Sequence, residues 1–428
     1  MARDVTATLV SIGDELLIGQ TVNTNASWMG AQLARVGIRT VRVVTVGDDA
    51  TEIERALRES TTDVVLITGG LGPTKDDITK TVLCAHFGTH LVRHAGVEER
   101  IRAMFRTMGR APLEANLTQA DLPADCVVVP NTRGTASGMW FTRAGRHWIS
   151  MPGVPHEMYT MMTDHVLPEL VRLLGPPTIV HRTILTTGLG ESQLAERISA
   201  WEDGLAADGI SLAYLPHPGM VRLRLSTYGQ DDPVAAQERV QRQVDALHAL
   251  IPELIFGEGE DRLEAVVGRL LLERGHTLSL AESCTGGELS HRITSVPGCS
   301  AYYVGGVVSY ANTVKMAELG IPEDMLALEG AVSRAVAERM ALGVRAALGT
   351  TWSVATTGVA GPDGGTPEKP VGTVWIAVAG PDGVRAHKGH YAGTRDLVIE
   401  RSAMAALDLL RRTLLGNEGN GPVPGDTV

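Results

Sequence analysis

The segment Ala281-Glu282-Ser283-Cys284-Thr285-Gly286-Gly287 sets a small nucleophile at a strand-to-helix turn. A β-type run from Thr277 leads into Ser283, and a helical pattern follows from Glu288 to Ile293. Such a turn holds a side chain between two rigid elements. The free N–H groups at a helix start also favour an oxyanion or a phosphate. Farther along come Tyr310-Ala311-Asn312 and, one helical turn on, Lys315. A serine hydroxyl is a weak nucleophile until a base takes its proton. No histidine pattern accompanies Ser283, and His276 reads as a strand-entry residue. The base on offer is Lys315, if burial lowers its pKa toward neutrality. Tyr310 can relay a proton or hold the lysine. These residue types point to an amidase of the serine–lysine type. Two other readings stay open. Ser283 can be a plain helix N-cap with Lys315 solvated at the surface. Cys284 can be a rival nucleophile at the helix start, or a buried structural thiol.

Residues 355–380 form a second constellation. A strand, Trp352–Thr356, runs into Thr357-Gly358 and a Gly/Pro-rich loop, and a second strand, Val374–Val378, returns. A loop of this kind can turn successive N–H groups inward as an anion nest, with Gly358 and Gly361 inside it. Thr357 can add a hydroxyl contact. A plain β-connection is the alternative. Arg395, at a helix start in Gly393–Ala403, can pair with a phosphate or simply be solvated.

Near the other end, Gly69-Gly70-Leu71-Gly72-Pro73-Thr74-Lys75-Asp76-Asp77 follows a strand and precedes a helix. Glycines let a phosphate approach the backbone, although the spacing is not that of a P-loop. Asp76 and Asp77 would repel a bare phosphate and make more sense with a divalent ion between them and the ligand. Gly13-Asp14-Glu15 closes the first strand on the same edge, so four carboxylates can converge. The alternative is that Asp76 and Asp77 are first-turn helix acids favoured by the dipole.

Elements that would position these groups are legible. Strands at Ala7–Gly13, Thr40–Val46 and Asp63–Thr68 alternate with helices at Asn25–Val36, Thr51–Arg58 and Ile78–Phe87. This βαβαβα order predicts an α/β fold with a doubly wound parallel sheet, whose ligands sit beyond the carboxyl ends of the strands. Gly175-Pro176-Pro177 and Gly257-Glu258-Gly259 read as domain breaks. They divide the chain into residues 1–174, a small α+β middle domain at 175–257, a C-terminal α/β domain at 258–415, and a Gly/Asn/Pro-rich tail at 416–428 expected to be disordered.

The 428 residues carry 44% hydrophobic and 20% charged side chains, and a net charge of −11 without long Lys/Arg runs. That composition excludes a basic nucleic-acid groove and leaves small anionic ligands open. Four separated cysteines, no C-x-x-C pair, no signal-peptide layout and no membrane-length apolar run predict a reduced cytoplasmic protein.

Taken together, AESCTGG, Ser309–Lys315, Thr357–Val374 and Gly393-Thr394-Arg395 resemble the CinA C-terminal family, over about residues 260–415. That family includes nicotinamide mononucleotide deamidases. Its pattern has YSN where this chain has Tyr310-Ala311-Asn312, a change outside the proposed catalytic positions. The resemblance implies Ser283 as nucleophile, Lys315 as base, Tyr310 assisting and Thr357 in the site, with no cofactor. In that reading the N–H groups of Gly286 and Gly287 stabilise the oxyanion, and the 355–365 loop with Arg395 holds the 5′-phosphate.

GDELLIG, Asn23–Asn25, Thr68–Thr79, Gly134–Gly138 and Pro152–Met158 resemble the CinA N-terminal domain, which is similar to the molybdopterin-binding fold. The fold's motif reads GGTG-x-x-x-x-D. Asp77 matches its final Asp, but Leu71 replaces the Thr, which speaks against a pterin ligand. The resemblance implies hydrolysis of ADP-ribose to AMP and ribose 5-phosphate with a divalent cation (Mg²⁺, Mn²⁺, Co²⁺ or Ni²⁺). Some of Asp14, Glu15, Asp76 and Asp77 would hold the metal, with Glu157 a further ligand or base. Gly69, Gly70 and Gly72 would cradle the phosphates, and Asn25 or Thr74 would contact ribose or phosphate. The combined expectation is a homodimeric, bifunctional enzyme of pyridine-nucleotide salvage, acting on nicotinamide mononucleotide and ADP-ribose. A molybdopterin-handling N-terminal domain and a non-enzymatic adaptor for DNA uptake or recombination are the alternatives.

Overall fold

The computed structural model describes residues 4–416, except Lys75 and Asp231. Of the tail expected to be disordered, 417–428 lies outside the described residues. The described residues form two compact units. One takes those up to Val180 together with Thr227–Gln237, and the other takes His181–Ser226 and those from Glu238 onward.

The first unit is built on a six-stranded sheet. Its spatial order is Ile38–Val46, Val5–Ile12, Val64–Thr68, Arg146–Met151, Gly138–Arg143, Val127–Val129. The first four strands are parallel and the last two join antiparallel. All five residues of Val64–Thr68 are buried, as a strand covered on both faces requires. Alternate side chains feed two separate cores. Val10, Val65 and Ile67 pack on one face, and Leu9, Val64 and Leu66 on the other. The doubly wound sheet is as expected.

A four-stranded sheet runs in the order Ser211–His217, Met220–Gln230, Thr178–Thr187, Ile255–Glu258, and most of it falls in the second unit, as do the helix Glu191–Leu205 and most of the helix Pro233–Leu250. A five-stranded sheet follows, in the order Tyr303–Val308, Leu278–Glu282, Trp352–Gly358, Thr373–Gly380, Gly383–His390. Its first three strands are parallel, and the others antiparallel. The long helix Arg395–Leu415 packs on one face through Val398 and Leu407, among others. On the opposite face Ala281, Ala355, Ala377 and Ala379 make room for the helix Arg334–Leu348. Among the described residues no helix is long and apolar enough to cross a membrane.

Candidate active sites

In the second unit, the strand Leu278–Glu282 ends at Ser283, where the Ser283 N–H donates to Thr356 O at 3.0 Å. The helix Asn312–Leu319 presents Lys315 to the same point. Lys315 Nζ lies 3.0 Å from Ser283 Oγ, 2.6 Å from Ser309 O and 3.2 Å from Tyr310 O. Lys315 is 1% exposed and Ser283 9%. Burial lowers the Lys315 pKa below its ordinary value, against a smaller opposing effect of Cys284. A neutral amine has two N–H donors and one lone pair. With Ser309 O and Tyr310 O taking the donors, the lone pair faces the serine hydroxyl. That is the arrangement of a general base and its nucleophile. The surface-lysine alternative does not hold, and Ser283 makes no side-chain cap on the helix Glu288–Thr294. Cys284 is buried and its thiol is pushed up to about 12, mainly by burial, so it stays protonated. His276 accepts from Trp352 Nε1 at 3.0 Å and plays a structural part.

Other expected residues gather around a cavity of about 220 Å³ lined by Ser283, Tyr310, Asn312, Thr357, Gly358 and Arg395. Several of them do different work from that expected. Tyr310 touches Lys315 through its carbonyl, while its phenol is outside, accepting from Arg395 Nη2 at 2.8 Å. Thr357 Oγ1 donates to Ala331 O at 2.7 Å, so its hydroxyl proton is engaged. Gly358 lies in the β-ladder opposite Val374 rather than in an anion nest, and a Cβ there would come within 2.7 Å of Thr373 O. Gly361 turns its carbonyl, not its N–H, to Arg395 Nη1 at 2.7 Å.

The oxyanion donors also need correction. Gly286 N–H donates to Ser283 O at 3.1 Å, and Gly287 N–H to Glu282 Oε2 at 3.0 Å. Both amides are taken by the turn itself. Glu282 and Asn312 were missed as site residues. Glu282 is disguised in the sequence as the last residue of an apolar strand, and only its acidic type just before a nucleophile turn could have drawn notice. A larger cavity of about 370 Å³ in this unit, beside His217, His390 and Arg401, holds none of the expected residues.

In the first unit the carboxyl ends of three strands meet around a cavity of about 520 Å³ lined by Glu15, Asp48, Asp76, Gln119 and Glu157, among others. This is the sheet edge where ligands are expected. Gly69 is required by crowding: at φ 108 its Cβ would lie 2.1 Å from Ile12 O. The phosphate cradle is not open as drawn from the sequence. Gly69 N–H donates to Met151 O, and Gly72 and Thr74 N–H donate to the Asp77 carboxylate at 2.7 and 2.8 Å. Gly70 O accepts from Thr79 N–H. Asn25 Nδ2 donates to Gly153 O at 2.7 Å, in a smaller neighbouring cavity. Leu71 is buried in the apolar core and carries no hydroxyl where the motif has its Thr.

The five-carboxylate metal set is corrected too. Among the described residues no three Asp, Glu, His or Cys side chains stand close enough to hold one ion. Asp77 closes the Gly72–Thr74 loop, Asp14 accepts from Asp48 N–H, and Glu157 accepts from Asn131 Nδ2 at 2.6 Å. Glu15, Asp76 and the unforeseen Asp48 line the cavity beside Asp77 and Glu157, and Asp48 Oδ2 accepts from Asp14 N–H at 3.2 Å. Burial raises the Asp48 carboxyl, Asp14 N–H opposes this, and the charges of Asp14, Glu15 and Asp76 raise it further. Mutually repelling carboxylates beside a cavity fit an ion of the Mg²⁺ type, which commonly uses one or two carboxylates plus substrate phosphates. Arg100, also missed, fixes the Gly134–Gly138 loop by donating to Asn131 O, Gly134 O, Thr135 O and Ser137 Oγ.

Comparison with known proteins matches three successive segments of the chain. Residues 8–172 match the family described as a probable molybdopterin binding domain, 181–257 the damage-inducible protein CinA KH domain, and 260–414 the CinA C-terminal domain. A CinA-like protein of Cytophaga hutchinsonii is 44% identical over 97% of this chain and 99% of its own. The chain belongs to the CinA family. A CinA-like protein of Salinibacter ruber is also 44% identical, over 95% of this chain and 99% of its own. The solved CinA protein of Thermoplasma acidophilum, with unknown function by its description, covers 38% of this chain and 95% of its own at 34% identity, with a TM-score of 0.35. The KH assignment of the middle segment was not legible; only its α+β character was.

Proposed function

We propose that the second unit hydrolyses nicotinamide mononucleotide to nicotinate mononucleotide and ammonia. The reading rests chiefly on one observation, the buried Lys315 amine 3.0 Å from Ser283 Oγ. Lys315 takes the Ser283 proton as Oγ attacks the carboxamide carbon. The tetrahedral intermediate then collapses with loss of ammonia, which leaves with the proton held by Lys315. Water, deprotonated by Lys315, resolves the nicotinoyl ester and returns the proton to Ser283. Arg395 lies at the outer side of the cavity and suits the substrate's 5′-phosphate.

For the first unit the proposal is hydrolysis of the pyrophosphate bond of ADP-ribose by water, giving AMP and ribose 5-phosphate. One or two of Glu15, Asp48 and Asp76 would hold a divalent cation, with the substrate phosphates supplying further oxygen ligands. When bound, such an ion neutralises phosphoryl charge and lowers the pKa of a bound water. The chain's own part is to shape the cavity: Asp77 closes the glycine loop and Arg100 fixes the loop opposite. Purified full-length protein is to be assayed for ammonia from nicotinamide mononucleotide and for AMP from ADP-ribose. Absence of either product from folded protein with divalent cation present removes the corresponding half of the proposal.

A further inference from the structure

We infer that Glu282 is the positioning residue of the serine–lysine pair; this rests on the amidase reading of the second unit. Its side chain is 1% exposed, yet among the described residues no cation pairs with it. A buried carboxylate in that state is costly unless hydrogen bonds hold its charge. Here five do. Oε2 accepts from Thr285 Oγ1 at 2.8 Å, Gly287 N at 3.0 Å and Leu289 N at 3.1 Å. Oε1 accepts from Ser290 N at 2.8 Å and Ser290 Oγ at 2.7 Å.

These donors span the whole turn that follows Ser283. Glu282 itself ends the strand Leu278–Glu282, paired on one side with Tyr303–Val308 and on the other with Trp352–Gly358. The carboxylate therefore bridges strand and helix across the nucleophile. Inside that bridge, Gly286 N–H closes back onto Ser283 O. The main chain of the same residue reaches the other partner. Glu282 O accepts from Ser309 N–H at 2.8 Å, and Ser309 O accepts from Lys315 Nζ at 2.6 Å. One residue thus sets the serine through its side chain and the lysine's acceptor through its carbonyl. The Lys315–Ser283 separation is held from both ends. Glu282 does not touch the reacting atoms; it acts through Ser283.

Replacing the carboxylate by an amide keeps the shape but puts an NH₂ group against N–H and O–H donors. The turn then loses part of its clamp, and the hydroxyl drifts from the amine. Two readouts on the full chain test this. One is steady-state ammonia release from nicotinamide mononucleotide. The other is labelling of Ser283 by an alkyl phosphonofluoridate, followed by intact mass. In labelling, Ser283 Oγ forms the O–P bond, fluoride leaves, and Lys315 takes the serine proton, so no nucleotide is needed.

Glu282→Gln is expected to lower both kcat and the labelling rate by about tenfold or more, with KM within about twofold of wild type. Thr285→Val and Ser290→Ala each remove one hydroxyl donor and keep the charge. They are expected to lower the same two rates by smaller factors, and they carry the test if Glu282→Gln does not fold. Folded Glu282→Gln with wild-type kcat and labelling overturns the inference, as does a change confined to KM. Wild-type labelling without nucleotide turnover overturns the substrate reading and leaves labelling to decide the role of Glu282. No Ser283 labelling in wild type overturns the inference together with the amidase reading.

Discussion

Arg395 Nη2 donates to the Tyr310 phenol at 2.8 Å, while the Tyr310 carbonyl accepts from Lys315 Nζ at 3.2 Å. Tyr310 therefore stands between the base and the cavity's outer cation, with different groups facing each. Its phenol is on the solvent side, and the residue is 60% exposed. Tyr310→Phe removes the outer link and keeps the carbonyl. It is expected to leave kcat for ammonia release within about threefold and to change KM by more. Steady-state kinetics decides; a kcat loss of several orders of magnitude would make the phenol a proton carrier.

The pH dependence follows from the direction of the Lys315 shift. Only the neutral amine can take the serine proton, and burial lowers its pKa below the ordinary 10.5. Ammonia release should rise with pH through that lowered pKa and then level off. Lys315→Arg keeps a charge that cannot be discharged and should be inactive across the range. The stability sign is the same: between the lowered folded pKa and 10.5 the unfolded chain binds the extra proton, so stability gains with pH there. Below the folded pKa the cost of burying the ammonium is complete. Urea denaturation of wild type and Lys315→Met, compared at neutral pH and near pH 10, should show the difference moving in favour of wild type.

Removing divalent cations should separate the two units. A chelator is expected to abolish AMP release from ADP-ribose and to leave ammonia release unchanged. Glu15→Gln and Asp76→Asn should each raise the metal concentration needed for half-maximal AMP release. Asp77→Asn should lower the rate without that shift, because Asp77 is bonded to Gly72 and Thr74. Metal titrations of AMP release separate these outcomes, and chelator-resistant AMP release would remove the metal from the proposal.

Gly69→Ala should destabilise the first unit by at least about 2 kcal/mol, because it combines a left-handed φ with a clash against main chain. Urea denaturation followed by far-UV circular dichroism measures it. A value near zero would mean that the strand ends are not packed as described.

What the sequence made legible was whatever depends on local pattern. Continuously apolar Val64–Thr68, flanked by helical periods, marked a buried parallel strand, and it is one. The strand–turn–helix around Ser283 and the distant Lys315 were also visible, since residue type and spacing carry that information. Partner choice among neighbouring groups was not. Gly286 and Gly287 looked free, yet their N–H groups are taken by Ser283 O and Glu282. Asp77 looked like a ligand because an acid in a glycine-rich loop reads the same whether it holds a metal or its own loop. Glu282 and Arg100 were hidden for the converse reason. Each sits in a regular element, and its work appears only when segments remote in sequence fold against it.

The most direct test of the central claim is ammonia release from nicotinamide mononucleotide by full-length wild type, Ser283→Ala and Lys315→Ala, with circular dichroism to establish folding. The expected result is release by wild type and a loss of about a thousandfold or more in each variant. Release undiminished in folded Ser283→Ala, or none from folded wild type, would contradict the serine–lysine account.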